Sequence, residues 1–167
     1  MTDQPYDGAT LEQLRHPLVH EFLAVHNMFR SQLTAMLEYI DELTDGELPL
    51  TAPEATTRTH ALIRAGTQYT RMLHMHHQIE TSAMFPSLQR EGLEVAVVDR
   101  LNAEHDEIGV LIDRFSAAIQ DLSAVAPEIL DTDLRRLADA LQAHLAYEET
   151  HVCPLLARFS EWPLQGH

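Results

Sequence analysis

Lysine is absent from this 167-residue chain, and its eleven basic residues, all arginine, face twenty-six acidic ones. A formal net charge of −15 with no basic cluster argues against nucleic acid or an anionic membrane as a partner. Cysteine is nearly absent. A lone Cys153 excludes an intramolecular disulfide and suits a reducing cytoplasm. No apolar run approaches the length of a bilayer span, and Met1–Asp7 carries neither a positive region nor an apolar stretch, so no signal peptide is expected. Glycine is sparse at six residues, and Val, Ile, Tyr and Phe are modest beside Ala, Leu, Glu, Arg and Gln, which favours helix over sheet. Also missing are a nucleophilic triad, a phosphate loop and a dinucleotide fingerprint. What the chain has in excess is histidine, eleven in all.

At this length one domain is expected, burying about two-thirds of the surface it would expose unfolded. Breaks fall at Asp45-Gly46 through Pro53, at Glu91-Gly92, and from Ser123 to Pro127. They leave four periodic segments, roughly 17–44, 53–90, 93–122 and 127–157, with Pro17 and Pro127 where helices would begin. Residues 1–16 read as a polar lead-in and 158–167 as a tail around a helical domain at 17–157.

Each segment carries an apolar stripe interrupted by histidine. Phe22, Phe29, Leu33, Met36 and Ile40 leave a gap at His26. Leu62, Tyr69, Met72 or Leu73, and Met84 are broken by His76 and Glu80, and Leu101, Ile108, Ile112, Phe115 and Ile119 by His105. Leu134, Leu137, Leu141, Leu145 and Val152 flank His144 and Glu148. The second and fourth segments share one pattern: a His, a Glu four residues later, and a Pro ten residues after the His (His76, Glu80, Pro86; His144, Glu148, Pro154). A four-residue step places both side chains on one helix face, one turn apart. A lone histidine on an apolar stripe is more often a satisfied core residue than a ligand. Six such groups together are another matter, because buried carboxylates are costly unless paired, hydrogen-bonded or metal-bound.

Distance from the connections decides whether these groups meet. His26 lies about 20 residues before the first break and His76 about 23 after it; His76 and His105 are about 15 and 13 from the second, and His105 and His144 about 20 and 19 from the third. At about 1.5 Å per residue these mismatches amount to a turn or less, so antiparallel helices would bring all four into one layer. Four imidazoles and two carboxylates exceed the four ligands of a structural zinc, and no thiolate is placed with them. Two iron ions sharing bridging carboxylates fit the set better, with manganese or a mixed pair still open.

The order His26, His76-x-x-x-Glu80 with Phe85-Pro86, Glu104-His105, then His144-x-x-x-Glu148 with Pro154 resembles the hemerythrin-like (HHE cation-binding) family over residues 17–157. The resemblance implies an all-α fold, an up-down-up-down antiparallel four-helix bundle. It also implies a non-haem centre of two Fe ions, carboxylate-bridged and oxo- or hydroxo-bridged, that meets dioxygen, hydrogen peroxide or nitric oxide. Glu80 and Glu148 would bridge, and His26, His76, His105 and His144 would be terminal ligands. Dioxygen carriers of the family place two histidines one turn apart on the third helix. Here the flanking positions are Leu101 and Gly109, so a fifth imidazole must come from elsewhere, with His77 the best substitute and helix-interface packing its alternative. Tyr69 reads as core packing before a phenolate ligand, and His151 as an outer hydrogen-bonding group. Glu148-x-x-His151 imitates half a ferritin-type motif, but a second copy is lacking. His16, His20, His60, His74 and His167 are assigned to the surface or helix ends.

The ligand shortfall on the third helix, and Gly109 beside it, favour turnover of a small oxidant, peroxide disproportionation above all. Reversible binding or sensing of dioxygen or nitric oxide is the alternative. Met36, Met72, Met84, Phe29 and Phe115 could line a dry pocket, although ordinary core is the default for such residues. The resemblance implies a bacterial cytoplasmic protein, with a small molecule rather than nucleic acid or membrane as its partner.

Overall fold

The computed structural model of the protein describes residues 11–45, 53–122 and 125–164. Residues 1–10 of the lead-in, 165–167 of the tail (with His167), and parts of two connections lie outside the described residues. Among the described residues the regular structure is entirely helical: α1 (Leu11–Leu14), α2 (Pro17–Thr44), α3 (Pro53–Ile79), a π-helical turn (Glu80–Met84), α4 (Phe85–Arg90), α5 (Val95–Gln120) and α6 (Pro127–Leu156). Among the described residues no helix is long and apolar enough to cross a membrane.

Local chemistry sets most of the boundaries. Pro17 and Pro127 open α2 and α6, where their fixed φ suits the helix and the missing N–H is no loss. α4 ends at Gly92, whose φ of +107° favours glycine. There Leu93 N–H donates to Leu88 O at 2.9 Å and Gly92 N–H to Gln89 O at 3.1 Å, the paired bonds of a Schellman stop. The segment expected to run unbroken over 53–90 is a continuous rod with one wider turn. Pro86 cannot donate to the carbonyl four residues back and its ring would crowd that carbonyl. The π turn absorbs the misfit, with Phe85 N–H reaching Glu80 O instead.

α2 packs against α3 and α6, and α5 against the same two helices. The side-chain pairings along each contact run in opposite order. Asp41 meets Arg135 near one end of α2 and His26 meets Glu149 near the other; Gln120 meets Thr67, and Asn102 meets Thr81. The apolar core falls into two clusters. One, with Phe29, Leu33, Ile40, Leu73, Ile112, Phe115, Leu134 and Leu141, fills the half nearer the α2–α3 connection. The other, with Phe22, Met84, Phe85, Leu88, Leu101, Val152 and Leu156, fills the half where α4 closes the end. Between them lies a buried polar layer containing His26, His77, Glu80, His105, His144 and Glu148.

Gly66 marks the close approach of α3 and α5. A Cβ there would collide with Ile119 Cδ1 and sit 3.3 Å from the Phe115 ring, both fully buried. Gly66→Val should therefore lower stability by about 1–3 kcal/mol through overpacking. A urea midpoint equal to or above the wild-type value would contradict this contact.

Candidate metal centre

Five elements aim ligating atoms into the polar layer. α2 supplies His26, α3 supplies His76 and His77, the π turn supplies Glu80, α5 supplies His105, and α6 supplies His144 and Glu148. They form two groups whose ligating atoms lie within 4.8 Å of one another: His77, Glu80, His105 and His144; and His26, His76, Glu80 and Glu148. Glu80 belongs to both. Glu148 Oε2 also reaches across, 3.4 Å from His26 Nε2 and 3.8 Å from His144 Nε2. Adjacent residues His76 and His77, rotated about 100° from each other, are thereby divided between the groups. The His77 ring stacks on His105 with centroids 4.0 Å apart. His76 Nε2 lies 2.8 Å from Glu80 Oε1 but too misaligned to hydrogen-bond with it.

Outer hydrogen bonds assign the tautomers. His26 donates from Nδ1 to Glu149 Oε1 at 2.8 Å, and His144 from Nδ1 to Glu104 Oε2 at 2.9 Å. Thr81 gives its hydroxyl proton to Asn102 Oδ1, so its oxygen accepts from His105 Nδ1 at 2.9 Å. Each of these rings thus turns a bare Nε2 lone pair inward. His105 Nε2 and His144 Nε2 face each other at 3.1 Å with no proton left for either to donate. Nε2 of His26, His76 and His77 and both oxygens of Glu80 and Glu148 are buried without a hydrogen-bond partner. Each such atom costs about 1–3 kcal/mol unless something satisfies it. A cluster of acceptors lacking donors is what cations resolve, so these residues fit metal ions.

The electrostatics follow from burial. Desolvation lowers the pKa of His26, with the Glu149 hydrogen bond opposing. Burial and then the charge of His105 bring His77 down to about 2 and His144 to about 4. The two central carboxyls are pushed apart. Burial and then Glu80 raise Glu148 well above the usual range. Burial would raise Glu80 too, but the charge of His76 and the closeness of the His105 and His76 rings outweigh it and hold the group well below.

Other sequence candidates lie elsewhere. Tyr69 is buried against Phe29, outside both groups, and burial raises its pKa. His151 donates from Nδ1 to Tyr147 O at 2.8 Å and joins neither group. A Cβ at Gly109 would meet nothing within 4 Å, so that glycine relieves no crowding at the site. His20, His60 and His74 are exposed, and His16 precedes α2. Cys153 is buried, its pKa pushed up to about 12 by burial and then by Glu149 and Glu148. Of the proposed lining residues Phe29 lies 5.2 Å from the His76 ring, while Met36, Met72 and Phe115 pack in the far cluster. Sequence reasoning missed Glu149 and Thr81, and noted Glu104 only as part of a motif. A second carboxylate directly after Glu148, level with His26 and Arg30 across α2, was the available signal for Glu149.

A cavity of about 180 Å³ reaches His76 and Glu80. Half-exposed Val25, Ile79 and Leu164 form its outer part, with buried Phe22 and Met84 and the half-buried Trp162 completing an apolar wall. Trp162 is held from outside, its indole N–H donating to Glu21 Oε2 at 2.9 Å. A larger groove of about 600 Å³ between α2 and α3 is far from this layer and contains neither group.

The lowered histidine pKa values give the metal-free protein a defined acid sensitivity. A buried imidazole with folded pKa below 6.5 lends stability that is complete above pH 6.5 and is lost as pH falls toward the folded value, about 4 for His144. The raised pKa of Glu148 acts oppositely, lending stability at low pH that is lost as pH rises through its folded value. With His26, His77 and His144 outnumbering it, the urea midpoint of chelator-treated protein should fall between pH 6.5 and 4. A midpoint that rises on acidification would contradict the neutral buried imidazoles.

No curated protein and no solved structure matches the chain. The family described as the hemerythrin HHE cation binding domain matches residues 18–156, a span that takes in both ligating groups. The chain belongs to the hemerythrin HHE cation-binding family.

Proposed function

We propose that the chain is a non-haem di-iron protein of up-down-up-down four-helix topology that reacts with a small oxidant, hydrogen peroxide first and dioxygen second. The observation that carries this reading is that Glu80 belongs to both ligating groups, as a carboxylate bridging two ions would. In this reading His77, His105 and His144 would hold one iron and His26 and His76 the other, with the Glu80 and Glu148 carboxylates available to both. Three imidazoles against two leave the His26–His76 ion with fewer protein ligands. The apolar cavity reaches that side of the site through His76. Bound iron supplies one-electron steps between its ferrous and ferric states. The chain supplies the rest: imidazoles held in one tautomer, a dry surround of Phe22, Phe29 and Phe85, and an approach suited to small uncharged molecules.

Peroxide, dioxygen and nitric oxide all suit such an approach. The smaller number of imidazoles on the side that the cavity reaches favours turnover; reversible dioxygen or nitric oxide binding is the second reading, favoured by the enclosure of the polar layer. A cytoplasmic setting suits the single buried thiol. Neither nucleic acid nor a membrane enters this reading.

Metal analysis of the purified protein, with oxygen release followed after adding hydrogen peroxide, tests it. Two irons per chain and sustained oxygen evolution are expected, whereas two irons without turnover favour the binding reading. One zinc or no metal would sink the di-iron assignment. Glu80→Ala and Glu148→Ala should each retain at most one iron, and a variant still holding two would remove that carboxylate from the bridge.

A further inference from the structure

Arg30 donates from Nη1 to Glu149 Oε1 at 2.8 Å, and the same oxygen accepts from His26 Nδ1 at 2.8 Å. Across the layer, Arg100 donates from Nε to Glu104 Oε1 at 2.7 Å, while Glu104 Oε2 accepts from His144 Nδ1 at 2.9 Å. Each chain of contacts runs inward from guanidinium to carboxylate to imidazole, ending on an Nε2 turned into the site. His26 belongs to one ligating group and His144 to the other, so each group has its own support.

The two supports differ in depth. Glu149 and Arg30 are 5% and 22% exposed, against 22% and 54% for Glu104 and Arg100. Arg100 also lies over the Tyr147 ring, 3.6 Å from its centroid, at the protein surface. A carboxylate accepting from a ligating imidazole fixes the ring and raises the basicity of its inner nitrogen. The effect is larger where solvent screens it less.

We propose that Glu149 and Glu104 are positioning residues, one for each cation, and that their unequal burial makes the two cation positions unequal in affinity and redox potential. The inference rests on the two-ion reading above. It adds that the doubled His-x-x-x-Glu motif is matched by a doubled Arg–carboxylate–His support, which the motif itself does not contain.

The isosteric variants Glu149→Gln and Glu104→Gln, loaded with ferrous iron, test it by chelator competition, Mössbauer spectra of each iron and potentiometry. Glu149→Gln should weaken one ion about 10–100-fold, raise its midpoint potential and change one Mössbauer subspectrum. Glu104→Gln should act on the other ion, with a smaller loss. Two irons with wild-type affinities and potentials in both variants would overturn the inference and leave the di-iron reading intact. Equal losses at both ions in both variants would overturn the assignment of one support to each ion. Wild-type protein that binds no metal would overturn both the inference and the reading beneath it. Should Glu149→Gln fail to fold, Arg30→Met probes the same support from its outer end. It should shift the same iron's potential in the opposite direction, downward, because the Glu149 charge is then less neutralised, and no shift would overturn the proposal.

Discussion

Everything in this protein is organised around a buried meeting of electron pairs. Imidazole nitrogens from all four long helices and two carboxylates face one another, most of them without a hydrogen-bond partner. Left alone, such a layer is costly, since each group has lost water and gained nothing in return. In the metal-free chain protons resolve part of the conflict, with the Glu148 carboxyl pushed toward its neutral form while Glu80 stays ionised. Cations resolve it more completely, because one ion accepts several lone pairs at once. Folding and metal binding are therefore coupled.

The helices can afford this layer because apolar clusters close it on both sides. Phe29 and Leu73 lie on one side, Phe22, Phe85 and Leu101 on the other. These clusters keep water out and hold the rings in place. The π turn serves the same end. Its extra residue per turn follows Glu80 directly, accommodates Pro86, and leaves Met84, Phe85 and Leu88 buried. Such wider turns occur often at functional sites, and here the turn begins on the carboxylate shared by both ligating groups.

Around the inner groups stands an outer set chosen by the same logic. Glu149, Glu104 and Thr81 each take the Nδ1 proton of a ring whose Nε2 points inward. Arg30 and Arg100 neutralise the two carboxylates from the solvent side. In a chain with a net charge of −15 and no lysine, these two arginines stand next to the site.

Periodicity and punctuation made the helices legible from sequence. Pro17, Gly92 and Pro127 are local signals, and the stripes of Leu, Ile and Phe depend only on the helical repeat. The segment 17–44 coincides with α2, and 127–157 ends one residue beyond α6. The shared level of His26, His76, His105 and His144 was legible as well, because helix rise turns sequence distance into length. The division of His76 and His77 between two groups depends on helix rotation about its own axis, which neighbouring helices set. The π turn at Glu80 depends on how Pro86 is accommodated within a packed rod. The supports from Glu149 and Glu104 depend on which imidazole lies across the interface. Local pattern places a side chain on a face and at a height; only packing against other helices decides what that side chain touches.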